Sequence, residues 1–115
     1  MKSLIKSIRH AFRGIMLTSK EEHNFQFQLI IALFLIIMMA ISDFSAIEIT
    51  IIIFTITLVL MSEILNTAIE NLLDKLHPNH DKTVGKIKDM SAGFVLIASI
   101  GSLIIGIIIS VSHFL

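Results

Sequence analysis

The chain has 115 residues, 55% of them hydrophobic, with no cysteine, no tryptophan or tyrosine, and a formal net charge of zero; its mean hydropathy is +0.90. That composition excludes a disulfide framework and a thiolate metal site, offers no global basic field for nucleic acid, and fits one membrane domain rather than a soluble one. With the larger aromatics missing, the interfacial belt must fall to phenylalanine and to charged flanks.

Residues 1–17 read as an amphipathic helix. Leu4, Ile5, Ile8, Ala11, Phe12, Ile15 and Met16 fall on one side, and Lys2, Lys6, Arg9 and Arg13 on the other, the pattern of a helix lying in a membrane surface with its cations toward lipid phosphates. Thr18 to Asn24 is a polar break, in which Ser19-Lys20-Glu21-Glu22 fits a capping box for the next helix. The first span is predicted over 25–41. Ser42-Asp43-Phe44 then makes a tight turn, and Ser45-Ala46-Ile47-Glu48 is a second capping box in which Glu48 is purely structural. A second helix is predicted over 46–76; about 30 residues at 1.5 Å each exceed the ~30 Å hydrocarbon layer, so its last turns reach the interface and water. His77 to Lys82, with the only proline at Pro78, forms the loop before a third helix over 83–115. On that helix Ala98, Ser102, Gly106 and Ser110 recur every four residues, a ridge of small side chains suited to close helix packing. The expected fold is therefore all-α: an N-terminal amphipathic surface helix plus three transmembrane helices in a single domain.

The chemistry concentrates late in the second helix. Glu63, Asn66, Glu70 and Asp74 are spaced by three, four and four residues, which puts all four on one helical stripe. Carboxylates at the end of a membrane helix are costly unless they bind something, usually a cation. Glu22 at the mouth of the first span and Lys86-Ile87-Lys88-Asp89 entering the third converge on the same side. Carboxylates suit Mg²⁺ shared with nucleotide phosphates, a lysine supplies a point charge for a polyphosphate, and a further carboxylate can take a proton from an attacking hydroxyl. Together they are the parts of a phosphoryl transferase acting at a membrane. Gly85-Lys86-Ile87 is not a phosphate-binding glycine loop, since no Ser or Thr follows the lysine, and His77 and His80 read as solvated loop histidines. A proton-coupled transporter is the reading from another class, although its carboxylate would belong near the midplane; a non-catalytic assembly protein is a third. Neither needs the Lys88-Asp89 pair.

Glu63-Ile64-Leu65-Asn66-Thr67-Ala68-Ile69-Glu70, followed by Asp74 and by Lys88-Asp89, resembles the signature of the bacterial integral-membrane diacylglycerol kinase and undecaprenol kinase family. The resemblance covers nearly the whole chain. It implies a homotrimer in the bacterial inner membrane that shares cytoplasmic active sites between subunits and uses ATP and Mg²⁺. It further implies that Glu63 is the catalytic base facing a lipid hydroxyl, with Asn66 orienting it. By the same resemblance Glu22 and Glu70 hold the metal with the nucleotide, and Lys88 and Asp89 contact ATP with Asp74 supporting Lys88. Asn79, His80 and Asp81 align with the family's nucleotide-contacting loop, although the family commonly carries His at the place of Asp81. His10 stands where a tyrosine of the family can contact nucleotide. Glu22-His23-Asn24-Phe25 and Ser91-Ala92-Gly93 are closer to the undecaprenol branch, Ala92 standing where the diacylglycerol branch can present a serine to its substrate. Undecaprenol is thus the expected lipid, with diacylglycerol the alternative.

Charge sets the expected orientation. Lys2, Lys6, Arg9, Arg13 and Lys20 precede the first span, and Lys75, Lys82, Lys86 and Lys88 fall between the second and third; no Lys or Arg lies in the other two connections. This bias puts residues 1–24 and 75–89 in the cytoplasm and the C-terminus outside. Cysteines introduced at Lys82 and at Phe114 are accordingly expected to react with a membrane-impermeant reagent from opposite sides of sealed vesicles; labelling from one side would exclude three spans.

Overall fold

A computed structural model describes residues 1–115 as four helices: α1 (Lys2–Glu21), α2 (His23–Ile41), α3 (Ala46–Leu76) and α4 (Lys82–Phe114). The last three are each long and apolar enough to cross a membrane, and α1 lies against α2 and α3. The principal association is α3 on α4, with α2 packed beside α3. The result is a slab of 52 × 41 × 20 Å, only about two helix diameters thin.

The helix limits follow from local chemistry. Ser45 caps α3: its hydroxyl accepts from the Glu48 amide at 3.1 Å while Glu48 accepts from the Ser45 amide at 2.9 Å, which is the expected capping box. Asp81 caps α4 by accepting from Val84 N at 3.0 Å. Pro78 lies in the connection between α3 and α4, outside both helices.

The break expected at 18–24 is much shorter. α1 continues to Glu21 and α2 begins at His23, so the joint is Glu22 alone, in an extended conformation (φ −118°, ψ 115°). The capping box expected at Ser19–Glu22 does not form, and α2 has no side-chain cap. Lys20 and Glu21 are good helix formers, and Thr18, buried with its hydroxyl bonded to Gly14 O at 3.0 Å, continues the helix rather than ending it. Across the joint, Gln26 Nε2 donates to Ser19 O at 2.7 Å and Asn71 Nδ2 donates to Glu21 at 3.0 Å.

Burial is inverted relative to a soluble domain. Of 12 buried residues only Phe25, Ala32, Ile52, Val84 and Ile109 are apolar; Thr18, Thr55, Ser62, Glu63, Asn66, Thr67 and Ser91 are polar. In lipid an outward Leu or Ile costs little, whereas a polar group must be enclosed or paired. The apolar face of α1, including Leu4, Ile8, Phe12 and Met16, is likewise uncovered by the chain, as befits a helix embedded in a membrane surface. The small-residue ridge of α4 serves packing only in part. Ser102 reaches Thr55 O at 3.5 Å, but Gly106 and Ser110 line an open groove of about 750 Å³ between α2, α3 and α4, and a Cβ on Gly106 would meet nothing within 4 Å.

At the far end of the molecule Glu48 does more than cap. Its two oxygens lie 3.2 Å from His113 Nδ1, and the Phe44 ring stacks on His113 at 4.1 Å, so the start of α3, the α2–α3 turn and the end of α4 are tied together. Replacing Ser45 with alanine removes the capping box, and a loss of about 0.5–2 kcal/mol is expected, read as a lowered midpoint of denaturant unfolding in mixed micelles with an unchanged slope.

Candidate functional site

The stripe of α3 lies where the helix is pressed against α4 and α2. Glu63 is only 2% exposed and Asn66 is buried one turn on. Glu70 is half-buried, and Asp74 is exposed at the last turns. Glu63 and Glu70 are seven residues apart, about 10 Å along the axis, so the stripe grades from an enclosed carboxylate to a wet one.

Three side chains make a continuous hydrogen-bond chain across the α3–α4 contact. Ser91 Oγ donates to Asn66 Oδ1 at 2.7 Å, and Asn66 Nδ2 donates to Glu70 Oε1 at 3.2 Å. The amide of Asn66 is thereby fixed in orientation at both ends. It orients Glu70 within this chain rather than Glu63, the residue it was expected to hold. Thr67 spends its hydroxyl on Glu63 O at 2.9 Å, a backbone acceptor. Gln28 lines the same cleft as the Glu63 carboxylate, and the charges of Glu22 and Glu70 act on that carboxylate. Glu22, at the single-residue joint between α1 and α2, comes near enough for its charge to act on Glu63.

One turn further toward the helix end, Lys88 Nζ sits 2.5 Å from Asp74 Oδ1. The two side chains are 37% and 61% exposed, so the pair contributes only about 0–1 kcal/mol to the fold. What it does is hold the lysine head beside the carboxylates. Asp89 is exposed and makes no ion pair. Asn79, His80 and Asp81 lie in the exposed connection, and Asp81 is committed to capping α4. His10 is exposed on α1, twelve residues and about 18 Å of helix before Glu22; the chain alone does not gather it with the carboxylates.

Glu63 and Asn66 form one wall of a cleft of about 320 Å³ that Asn24, Gln28, Ala92 and Ser99 also line, with Phe27, Val95 and Leu96 as its apolar part. Phe27, Gln28 and Ser99 also line the large apolar groove. A buried carboxylate thus faces a space continuous with surface suited to hydrocarbon. Sequence reasoning missed Asn24, Gln28 and Ser99 as wall residues; the available signal was the run of amides Asn24, Gln26 and Gln28 inside an otherwise apolar span, where polar side chains are expensive. Ser91 was noticed only as part of a resemblance, since its partner Asn66 is 25 positions away.

No three acidic or histidine side chains come close enough to cage a bare ion. The arrangement instead suits a hard cation that keeps several waters and is shared between one or two carboxylates and substrate phosphates.

The chain is similar to known proteins over nearly its whole length. A family model described as prokaryotic diacylglycerol kinase matches residues 9–110. The chain is 37% identical over 109 residues to the undecaprenol kinase of Bacillus subtilis (strain 168), covering 95% of this chain and 89% of that one. It is 31% identical over 111 residues to the diacylglycerol kinase of Escherichia coli (strain K12), covering 96% and 91%, and 30% identical over 105 residues to the diacylglycerol kinase of Synechocystis, covering 90% of this chain and 60% of that one. With a buried carboxylate on a lipid-facing cleft, a lysine beside wetter carboxylates, and family similarity over nearly its full length, the chain belongs to the prokaryotic diacylglycerol kinase family and is a lipid kinase.

Proposed function

We propose that the chain transfers the γ-phosphoryl group of ATP, with Mg²⁺, to the hydroxyl of undecaprenol at the cytoplasmic face of the inner membrane, as a homotrimer. The observation that carries this reading is the depth grading of α3: Glu63 is enclosed on a cleft joined to an apolar groove, Glu70 is half-buried, and Asp74 is exposed with Lys88 of α4 beside it. A lipid anchored by its tail can bring its hydroxyl to Glu63, whereas a polyphosphate belongs with the exposed cation and carboxylates. The lean to undecaprenol rests on Ala92, which gives this cleft a methyl group where a hydroxyl would contact a more polar headgroup, and on the sequence likeness to the Bacillus undecaprenol kinase.

In this reading Glu63 accepts the proton of the lipid hydroxyl as the freed oxygen pair bonds to the γ-phosphorus, and the bond from that phosphorus to the bridging oxygen breaks with its electrons leaving on ADP. Glu22 and Glu70 would hold Mg²⁺, which when bound neutralises charge on the phosphates. The donor set fits that ion, two carboxylates with room for water and phosphate. Asn66, fixed by Ser91, keeps Glu70 aimed at that place. Asp74 steadies Lys88 for the phosphates, and Asp89, with Asn79, His80, Asp81 and the distant His10, would complete the nucleotide contacts, His10 from a neighbouring subunit.

Turnover of the purified protein in bicelles, with MgATP and either undecaprenol or a diacylglycerol, tests the substrate. A higher kcat/KM for undecaprenol is expected; a higher value for diacylglycerol would reverse the assignment. Two variants test the division of labour. Glu63→Gln is expected to lower turnover by roughly 10²–10⁴, the worth of a positioned base, while leaving MgATP binding intact; retention of more than about a tenth of turnover would remove Glu63 as the base. Glu70→Gln and Glu22→Gln are expected to weaken Mg²⁺-dependent nucleotide binding, because a neutral amide does not offset the charge of the ion. Unchanged metal dependence with lowered thermal stability in Glu22→Gln would make that residue a joint element only.

A further inference from the structure

Gln28 carries the one buried side-chain polar atom of the molecule that has no partner: its Oε1 is shielded from solvent and accepts no hydrogen bond. Buried carbonyl oxygens are almost always paired, so an orphan calls for a reason. Gln28 sits in the second turn of α2, on the wall of the cleft with Glu63, Asn66 and Ala92, and its amide lies near the Glu63 carboxylate. Only the NH₂ end of the amide can donate to an ionised carboxylate. An orientation that offers this end to ionised Glu63 turns Oε1 away and leaves it unpaired, as it is in the structure. Two polar groups on the α3 side are already committed: the Asn66 amide to Ser91 and Glu70, and the Thr67 hydroxyl to a backbone carbonyl.

We propose that Gln28 is a positioning residue for the transfer: its NH₂ group holds the ionised Glu63 carboxylate toward the lipid hydroxyl, and its Oε1 is the acceptor kept for the proton that Glu63 bears afterwards. This rests on Glu63 being the base. When the hydroxyl proton passes to a Glu63 oxygen, the carboxylate becomes a neutral acid with an O–H to satisfy in an enclosed site. A half-turn of the Gln28 amide about its last torsion, which has a broad and shallow profile, brings Oε1 to that O–H. An amide has one donor end and one acceptor end and can serve both protonation states of its neighbour. A lysine or an ionised carboxylate at the same place would serve one state, and an apolar side chain neither.

The test is Gln28→Met, close in length and without a strong donor or acceptor, studied in the full-length protein in bicelles. Misplacement of a reacting group costs roughly 10²-fold, and a fall in kcat of that order is expected, with the lipid KM and MgATP affinity unchanged. The solvent deuterium isotope effect on kcat is expected to rise, because proton transfer then limits the rate; a merely structural residue would not produce that signature. In a Glu63→Gln background, Gln28→Met is expected to cause no further loss, since the group it positions is gone. A kcat equal to that of the parent, or a loss that multiplies in the Glu63→Gln background, would overturn the proposal. Should Gln28→Met also lose nucleotide binding, Gln28→Asn, which keeps both polar ends one methylene short, is read by the same criteria. Wild-type turnover in Glu63→Gln alone would instead overturn the base assignment, and with it any base for Gln28 to position.

Discussion

A carboxylate inside a membrane protein has to be enclosed by partners or exposed to water, and the packing of α3 against α4 is arranged around that constraint. Ser91, Asn66 and Glu70 link the two helices through one chain of hydrogen bonds. In an apolar solvent such links fix helix register, because apolar side chains gain nothing by leaving lipid for one another. Removing Ser91 would leave Asn66 Oδ1 buried without its donor, at a cost of about 1–3 kcal/mol, and would free the amide to rotate. One contact therefore sets both the alignment of the two long helices and the direction in which Glu70 points.

The same constraint accounts for the shape. Phe34, Ile97, Leu103 and Ile108 stand outward on the slab, which is tolerable in hydrocarbon and would not be in water. The polar residues are drawn inward, to the seam between α3 and its neighbours. The groove beside that seam is apolar along most of its length and meets the cleft only at Phe27, Gln28 and Ser99. The polar cleft and the apolar groove are thus separated by a few side chains, a geometry suited to a water-insoluble acceptor.

Much of this was legible in the sequence, for identifiable reasons. The limits of α3 agree with the structure because both ends are locally encoded, by the Ser45–Glu48 box and by Pro78 beyond the last turn. The α3 stripe is a spacing pattern within one helix, and such patterns survive folding. The joint at Glu22 was misjudged because Ser19-Lys20-Glu21-Glu22 satisfies the rule for starting a helix as well as the propensities for continuing one, and a buried Thr18 decided between them. What was not legible is non-local: Glu48 with His113 lies 65 positions apart, Asn71 with Glu21 lies 50, and Gln28 and Glu63 line one cleft from different helices. No periodicity within one segment encodes such pairs. The Asn66 amide shows the limit most directly: the stripe places it between Glu63 and Glu70, but only Ser91, from another helix, determines which of them it serves.

In the proposed reaction, depth along one helix organises the chemistry. α3 carries an enclosed carboxylate at Glu63, a fixed and half-buried one at Glu70, and an exposed one at Asp74 paired with Lys88. A straight helix is a ruler of 1.5 Å per residue, so these three environments are set by sequence spacing once the span is seated in the bilayer. Groups that must meet hydrocarbon-bound and water-borne reactants at once need such a ruler crossing the boundary between them. A helix of 31 residues, longer than the hydrocarbon is thick, supplies it. The excess length at the end of α3 is therefore the part of the span that brings the two phases within reach of one another.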